Sequence, residues 1–378
     1  MAGLTASTCP SPWPVLGTAI LKQCADDFVV EEQLGFEPGT GPSPDSGSGP
    51  GEHLWLWVEK RHLNTDQVAL ELARVLGVAR DAVSFSGLKD RHALTRQWFS
   101  VHWHGDGAWP LGEGWQAPAG SDTGDAGAYR VLAWQRGQRK LRRGVHAGNR
   151  FEITLRQVSA DCAAVDARLQ VLATGGVPNY FGPQRFGHDG RNIARGLTLL
   201  ADRRAGRRRR RDTRDSLWLS AVRSALFNQV LAARVQDGSW QSLLPGDVLQ
   251  LDGRSAVFRA EADDAAVPSR LAAGELHVTG PLPGDGDALV REIAAELEAR
   301  VLAPWADIVA DLVAARVPVM RRALRLRVQD LSWQWPEKDV LSLGFTLTSG
   351  AFATSVLSTL FDLENAHEPE SAALSAEQ

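Results

Sequence analysis

Strand signals gather at both ends of this 378-residue chain, and a long arginine-rich helical stretch lies between them. Arg150 to Arg156 alternates cleanly: Phe151, Ile153 and Leu155 fall on one side, Arg150, Glu152, Thr154 and Arg156 on the other. A period of two marks a half-buried strand. Leu54-Trp55-Leu56-Trp57-Val58 reads as a buried strand, Trp98 to Trp103 as another and Val83 to Phe85 as a short one. After Gly175-Gly176 the texture changes. Leu217 to Val235 reads as a long helix, and Leu289 to Ala303 and Trp305 to Ala315 as two more, broken by Pro304 and ended near Pro318. Strand character returns at Leu341 to Leu347, and a last helix is expected over Ala351 to Phe361. This order suggests one domain split in sequence with a second domain inserted into it, and the length fits two or three domains.

Local signals fill in the frame. Asn64 is placed to cap a helix: Gln67 lies three residues on, Val68, Leu72, Val75 and Leu76 form one apolar stripe, and Gly77 stops it. Asp161 to Leu172 is helical, with Cys162, Val165, Leu169 and Leu172 on one stripe. Pro38 to Gly51 and Gly105 to Gly127 read as surface loops, because Gly, Pro and small polar residues leave little apolar surface to bury. Residues 1 to about 18 are Pro- and Ser-rich and expected to be poorly ordered, as is the acidic tail from Glu364.

The chemistry-bearing segment is Ser86-Gly87-Leu88-Lys89-Asp90-Arg91-His92-Ala93. It follows the short strand at Val83 to Phe85, so Asp90 is expected at a strand end. Lys89 and Arg91 flank it, and opposite charge nearby holds a carboxylate ionised. Gly87 permits a sharp turn or a close approach to substrate. By itself, a Lys-Asp-Arg triplet is also what a solvated turn looks like.

Other segments decide between those readings. Gly87 to Ala93 resembles the catalytic motif of the TruD family of tRNA pseudouridine synthases. Segments in the same order resemble the same family: Asp27-Phe28-Val29-Val30-Glu31-Glu32, Gly148-Asn149-Arg150-Phe151, Gly176 to Gly187, Arg223-Ser224-Ala225-Leu226-Phe227-Asn228, and Ser349 to Ser355. The run Gly176-Val177-Pro178-Asn179-Tyr180-Phe181-Gly182-Pro183-Gln184-Arg185-Phe186-Gly187 is highly specific. The resemblance spans about residues 20 to 361.

The resemblance implies an α+β chain. Its catalytic domain would be built on a mixed, largely antiparallel sheet from residues 1–175 and 327–362. An inserted α/β family-specific (TRUD) domain would occupy 176–326, and a disordered tail 363–378. It implies an isomerase that converts uridine to pseudouridine in the D-arm region of tRNA, at position 13, with no cofactor and no metal. It assigns catalysis to Asp90 and substrate binding to Phe28, Asn149, Phe151 and Phe352. Lys22, Glu31, Lys89 and Arg91 form a second tier. Pattern alone leaves alternatives: Phe28 and Phe151 suit a core equally well, and Asn149 after Gly148 is a natural turn residue. A non-catalytic RNA-binding or RNA-folding protein on the same scaffold is the rival reading.

Only five of the 41 basic residues are lysines, a bias that the abundance of Ala and Gly matches and that base composition explains. It does not explain clustering. Arg136, Arg139, Lys140, Arg142, Arg143 and Arg150 fall within fifteen residues around Gly148-Asn149, and the first five are expected to meet the RNA backbone. Arg203, Arg204, Arg207 to Arg211 and Arg214 form a second cluster. A net charge of −4 announces no nucleic-acid partner. The three cysteines include no Cys-x-x-Cys pair, which supports neither a disulfide framework nor a zinc site and fits a cytoplasmic setting. His102 and His104 share a strand face without a third ligand nearby. No apolar run is long enough to span a membrane, and no signal peptide, phosphate loop, dinucleotide fingerprint or Gly-x-Ser-x-Gly elbow is present. A monomer without an obligate protein partner is expected.

Overall fold

The computed structural model describes residues 4–5, 9–35, 52–103, 127–137, 139–207, 212, 214–259 and 264–365. The loop expected over Pro38 to Gly51, most of that over Gly105 to Gly127, His104, Arg208 to Arg211 and the tail after Asn365 lie outside these residues.

In chain order the elements are β1 (Gly17–Leu21), β2 (Phe28–Gln33), β3 (His53–Arg61), α1 (Thr65–Leu76), β4 (Val83–Phe85), β5 (Leu94–His102), β6 (Ala128–Gly137), β7 (Gly148–Leu155) and α2 (Cys162–Gly175). Then come β8 (Val177–Pro178), α3 (Pro183–Phe186), α4 (Arg191–Arg204), α5 (Asp215–Gln236), β9 (Val248–Leu251), β10 (Val257–Arg259), α6 (Val267–Ala272), β11 (Leu276–Leu282), α7 (Glu292–Leu302), α8 (Ala306–Ala314) and β12 (Met320–Ala323). The chain closes with β13 (Arg325–Leu326), β14 (Gln329–Glu337), β15 (Val340–Thr348), α9 (Ala353–Leu357) and β16 (Phe361–Asn365).

Two compact units result. One gathers residues 16–169, 329–350 and 361–378; the other gathers 1–15, 170–328 and 351–360. The first is built on an eight-stranded sheet in the order β14-β15-β7-β2-β5-β3-β6, with β4 also paired to β5. Its pairings are antiparallel except β2 with β5, so the sheet is mixed and largely antiparallel. The fold is α+β.

The alternation of β7 is realised: Phe151, Ile153 and Leu155 are buried, while Arg150 and Glu152 are exposed. Helix α1 buries Val68, Ala69, Leu72 and Leu76 against Leu54, Leu56, Val58, Phe99 and Val101. Each such Val or Leu contributes about 1.5–3 kcal/mol on burial. The Asn64 N–H donates to Gln67 Oε1 at 2.8 Å, half of a capping box, and Gly77 closes the helix at φ 65°, where a Cβ would be strained. In β3 the parity that buries Leu54, Leu56 and Val58 also carries Lys60 inside.

The second unit packs α5 over the antiparallel sheet β10-β9-β11-β12, with α4 laid against α5. A Cβ on Gly196 would meet the Trp218 carbonyl at 2.5 Å and Val222 at 2.6 Å, so only glycine lets α4 and α5 approach this closely.

Three expectations are revised. The last helix is a single short segment, α9, and Phe361 begins a strand. That strand, β16, runs parallel to β1, and it includes Glu364 from the supposed tail. Near the start, Leu4 is only 5 % exposed and lies in the core of the second unit, and β1 begins at Gly17. In the last two cases pairing or apolar packing elsewhere in the fold overrode a polar local composition.

Candidate active site

The segment Ser86 to Ala93 leaves β4 and returns into β5. Strand β2 pairs with residues 94–96 of β5, and β4 pairs with residues 99–101. Between them the Trp98 N–H is taken by a side chain, Glu32 Oε1 at 3.3 Å, instead of a strand. The segment emerges at this split. Gln97 Nε2 donates to the Gly87 carbonyl at 2.9 Å, Thr65 Oγ1 donates to Gln97 Oε1 at 3.0 Å, and the Lys89 N–H donates to Thr65 Oγ1 at 3.0 Å. Lys60 Nζ donates to the Asp90 carbonyl at 2.6 Å. The main chain leading up to Asp90 and the Asp90 carbonyl itself are therefore pinned by side chains of α1, β3 and β5, which is how a reacting group is held in one geometry.

The Asp90 side chain keeps 30 % of its surface in solvent. Its Oδ2 is ion-paired with Lys22 Nζ, and its Oδ1 accepts the His92 N–H at 3.0 Å. Burial by itself would raise the pKa, but the Lys22 charge and hydrogen bond, with the His92 N–H, outweigh it and hold the carboxyl below the usual aspartate range. Lys22 Nζ also sits 4.4 Å from the Phe28 ring centroid, a cation–π distance. Lys60 is 1 % exposed, and burial followed by the nearby Lys89 charge pushes its pKa down to about 8 despite the opposing pull of Asp90.

Strand register fixes which side chains share a face. Phe28, Val30 and Glu32 pair across with Ile153, Phe151 and Asn149, so Phe28, Phe151 and Asn149 lie on one face of the sheet. Val30 pairs with Thr95, and Thr95 with Lys60, so Lys60 belongs to the same face. The Phe28 and Phe151 rings meet edge to face at 6.1 Å, and Phe151 stacks on Phe345 at 5.4 Å. Both are 6 % exposed. Asn149 is 9 % exposed, and its buried Oδ1 has no hydrogen-bond partner.

Several expected residues sit elsewhere. Lys89 does not hold Asp90 ionised: its side chain, 5 % exposed, forms an ion pair at 2.8 Å with the fully buried Glu32. Arg91 Nε donates to the His62 carbonyl at 3.2 Å. The cation at Asp90 is Lys22, because the chain fold and not sequence adjacency sets the partner. Glu31 points to the opposite face, where Arg96 joins it to Glu59, and Arg130 extends the row at 2.7 Å from Glu59. Phe352 belongs to the second unit, half-buried at the start of α9.

Of the basic cluster, Arg139, Lys140, Arg142 and Arg143 are exposed and Arg136 half-exposed. Lys140 donates to the Asp81 carbonyl at 2.9 Å, and the Arg143 guanidinium lies 5.0 Å from the Phe85 ring. Arg150 is on the Glu31 face, 3.5 Å from Glu152. In the second cluster Arg204 pairs with Asp311 and Arg207 with Asp202.

Sequence reading missed Lys60, Gln97 and His146. Lys60 was detectable from the parity of β3. His146 was not: Ser86 Oγ lies 3.0 Å from its Nδ1 and Ser349 Oγ 2.9 Å from its Nε2, contacts across 60 and 203 residues. Among the described residues no group of His, Cys, Asp and Glu is placed to hold a metal ion, and no helix is long and apolar enough to cross a membrane.

Comparison with known proteins identifies the family. The sequence profile of tRNA pseudouridine synthase D (TruD) matches residues 16–201 and 208–360. A tRNA pseudouridine synthase D of Pseudomonas putida strain W619 is 45% identical over 356 residues, covering 94% of this chain and 95% of the relative. That of Azotobacter vinelandii is 43% identical over 350 residues, 92% of each. A TruD crystal structure from Methanosarcina mazei superposes with a TM-score of 0.67 at 21% identity, covering 96% of this chain and 97% of that one, and shares the fold. With a profile match across nearly all of β1 to α9 and relatives of full length, the chain belongs to the tRNA pseudouridine synthase D (TruD) family.

Proposed function

We propose that this chain is a cytoplasmic tRNA pseudouridine synthase acting on a uridine in the D-arm region, at position 13, with Asp90 as its catalytic residue and no cofactor. The observation that carries the reading is the Asp90 carboxylate: ionised by Lys22, partly exposed, and mounted on a backbone anchored by Lys60, Thr65 and Gln97. Uridine and pseudouridine are isomers, so the reaction needs no redox partner and releases no group. The N1–C1′ bond breaks, the uracil turns while held in the site, C5 bonds to C1′, the C5 proton leaves and N1 takes up a proton, so the formula is unchanged. Asp90 serves either as nucleophile on the sugar carbon or as base for a ribose proton, and both roles need a free ionised oxygen.

The uridine must first be unstacked, at about a few kcal/mol, offset by contacts in the pocket. Asn149 supplies an amide oxygen with no protein partner, suited to a uracil N–H. Phe151, wedged between Phe28 and Phe345, gives a rigid apolar wall; Phe352 is assigned to substrate by the family motif. Exposed Arg139, Lys140, Arg142 and Arg143 meet RNA phosphates.

The test is incubation of the purified chain with unmodified tRNA transcript, followed by pseudouridine mapping. One modified uridine in the D arm is expected, absent with Asp90→Asn while tRNA binding persists. No pseudouridine at all, or normal turnover by Asp90→Asn, overturns the reading.

A further inference from the structure

Two segments that carried the family resemblance take no part in the chemistry above, yet they converge in the second unit. Asn228 clamps Phe181: its Oδ1 accepts the Phe181 N–H and its Nδ2 donates to the Phe181 carbonyl, both at 2.9 Å. Around that ring stand two arginines. The Arg322 guanidinium carbon is 4.1 Å from the Phe181 centroid, and that of Arg185 is 5.5 Å. Arg223 stands on α5 beside Ser224, which Arg185 reaches with its Nε at 3.3 Å.

These three cations are held by neutral groups alone. Arg185 donates to Ser220 and Ser224, Arg322 to Asn179 Oδ1 at 2.6 Å, and Arg223 to the carbonyls of Leu282 and Pro318, each at 2.8 Å. Among the described residues no carboxylate lies within ion-pair distance of any of them. The same unit shows the ordinary solution nearby: buried Arg234 is paired with Asp247 at 3.1 Å, and buried Arg321 with Glu298 at 2.5 Å. Arg223 is 8 % exposed, and its buried Nε has no hydrogen-bond partner, as is also true of Arg322 Nε. Burial, and for Arg322 and Arg223 the neighbouring Arg185 charge, lowers all three pKa values, to about 10 for Arg322. Clustered like charges with no counter-ion are costly in a desolvated site, and an anion offsets that cost. Arg185 keeps part of its surface in solvent, so an anion can reach the group from its side.

We propose that Arg185 and Arg322, set over Phe181, together with Arg223 near Arg185, form a phosphate-binding site for the RNA backbone, in a unit separate from the one that carries Asp90. The proposal rests on the reading that the substrate is tRNA; the anion site itself does not.

The experiment has two arms on the full chain. In the first, the thermal midpoint is followed against inorganic phosphate and pyrophosphate at constant ionic strength set with KCl. A saturable rise is expected for the wild type and none for Arg185→Gln, with partial recovery in Arg185→Lys, because a guanidinium contacts phosphate through two nitrogens and an ammonium through one. In the second, tRNA binding is measured against salt. Arg185→Gln is expected to weaken tRNA binding about tenfold and to lower the slope of log affinity against log salt by about one. A wild type indifferent to both anions, tested without any variant and so independent of its folding, overturns the site. A phosphate-dependent rise with unchanged tRNA affinity in a folded Arg185→Gln means an adventitious ion only, and overturns the RNA assignment. If wild-type protein binds both anions but forms no pseudouridine, the proposed function fails and the anion site stands.

Discussion

Lys60 Nζ lies 2.6 Å from the main-chain oxygen of Asp90, so a fully buried lysine tethers the backbone of the residue proposed to react. Removing it is expected to separate activity from stability. Folded Lys60 has its pKa lowered from 10.5 to about 8, mainly by burial, so the unfolded chain binds the extra proton between those values. The burial cost is fully present below pH 8 and relieved as pH rises to about 10.5, a swing of about 3 kcal/mol. Lys60→Met is expected to flatten that rise in denaturant titrations at pH 7 and pH 10, to leave the pH 7 midpoint equal or higher, and to cut turnover at least tenfold. Undiminished turnover in a folded Lys60→Met would show the tether to be dispensable.

Lys22 is the cation that keeps Asp90 ionised. The Asp90 pKa is depressed in the fold, so its ion-pair contribution exists above the unfolded value near 3.8 and is lost as pH falls through the lower folded value. In Lys22→Met, burial is left opposed chiefly by the His92 N–H. The acid limb of the pH–rate profile is then expected to move upward, with turnover at pH 7 reduced about 10- to 100-fold. An unmoved acid limb would mean that another group ionises Asp90. Lys22→Arg should restore most of the wild-type profile.

These two lysines mark what the sequence could and could not convey. The β7 alternation and the α1 cap and stripe are local, and local rules read them directly; the parity that buries Lys60 is local too, yet the reading of β3 stopped at Val58 and missed it. Lys22 is 68 residues from Asp90, and Lys89 finds Glu32 across the sheet, so adjacency in Lys89-Asp90-Arg91 pointed to the wrong cations. Strand β16 was hidden for a related reason: Glu364 looks like the start of a polar tail, and only β1, more than 340 residues earlier, gives it a ladder. Glu31 was placed near Phe28 by sequence, while the two-residue period of β2 sends it to the other face.

The Glu32–Lys89 pair carries a stability prediction. Both side chains are buried, and removing one partner of such a pair strands the other charge at a cost of about 3–5 kcal/mol. Lys89→Met is expected to lower the unfolding free energy by about that amount. The double variant Glu32→Gln with Lys89→Met should recover much of it, since no lone charge is then left inside. A Lys89→Met protein as stable as wild type would show Glu32 to be satisfied otherwise.

His146 predicts an acid-side instability. Burial, then the Lys89 charge, depresses its pKa, so the folded state resists the proton that the unfolded chain accepts near pH 6.5. Stability is therefore expected to fall as pH drops below 6.5, and a neutral ring suits its place between Ser86 and Ser349. His53, also depressed, contributes in the same direction. His146→Gln should make the loss between pH 7 and pH 5 shallower in chemical denaturation; an unchanged slope would assign the effect to His53.

Asn149 should behave in the opposite sense to Lys89. Its Oδ1 is buried yet accepts no hydrogen bond from the protein, so truncating it breaks no internal bond there and removes an unsatisfied acceptor. Asn149→Ala is expected to leave the thermal midpoint within a few degrees of wild type while kcat/KM on tRNA falls at least tenfold, because a polar group that the substrate must satisfy is worth most when nothing else can satisfy it. Asn149→Asp should be worse than alanine for catalysis, since a carboxylate cannot donate to a uracil carbonyl and adds a second negative charge to the face that Asp90 serves. A variant that loses stability in proportion to activity would instead assign Asn149 to the packing of β7 between β2 and β15, and the unsatisfied oxygen would need another explanation.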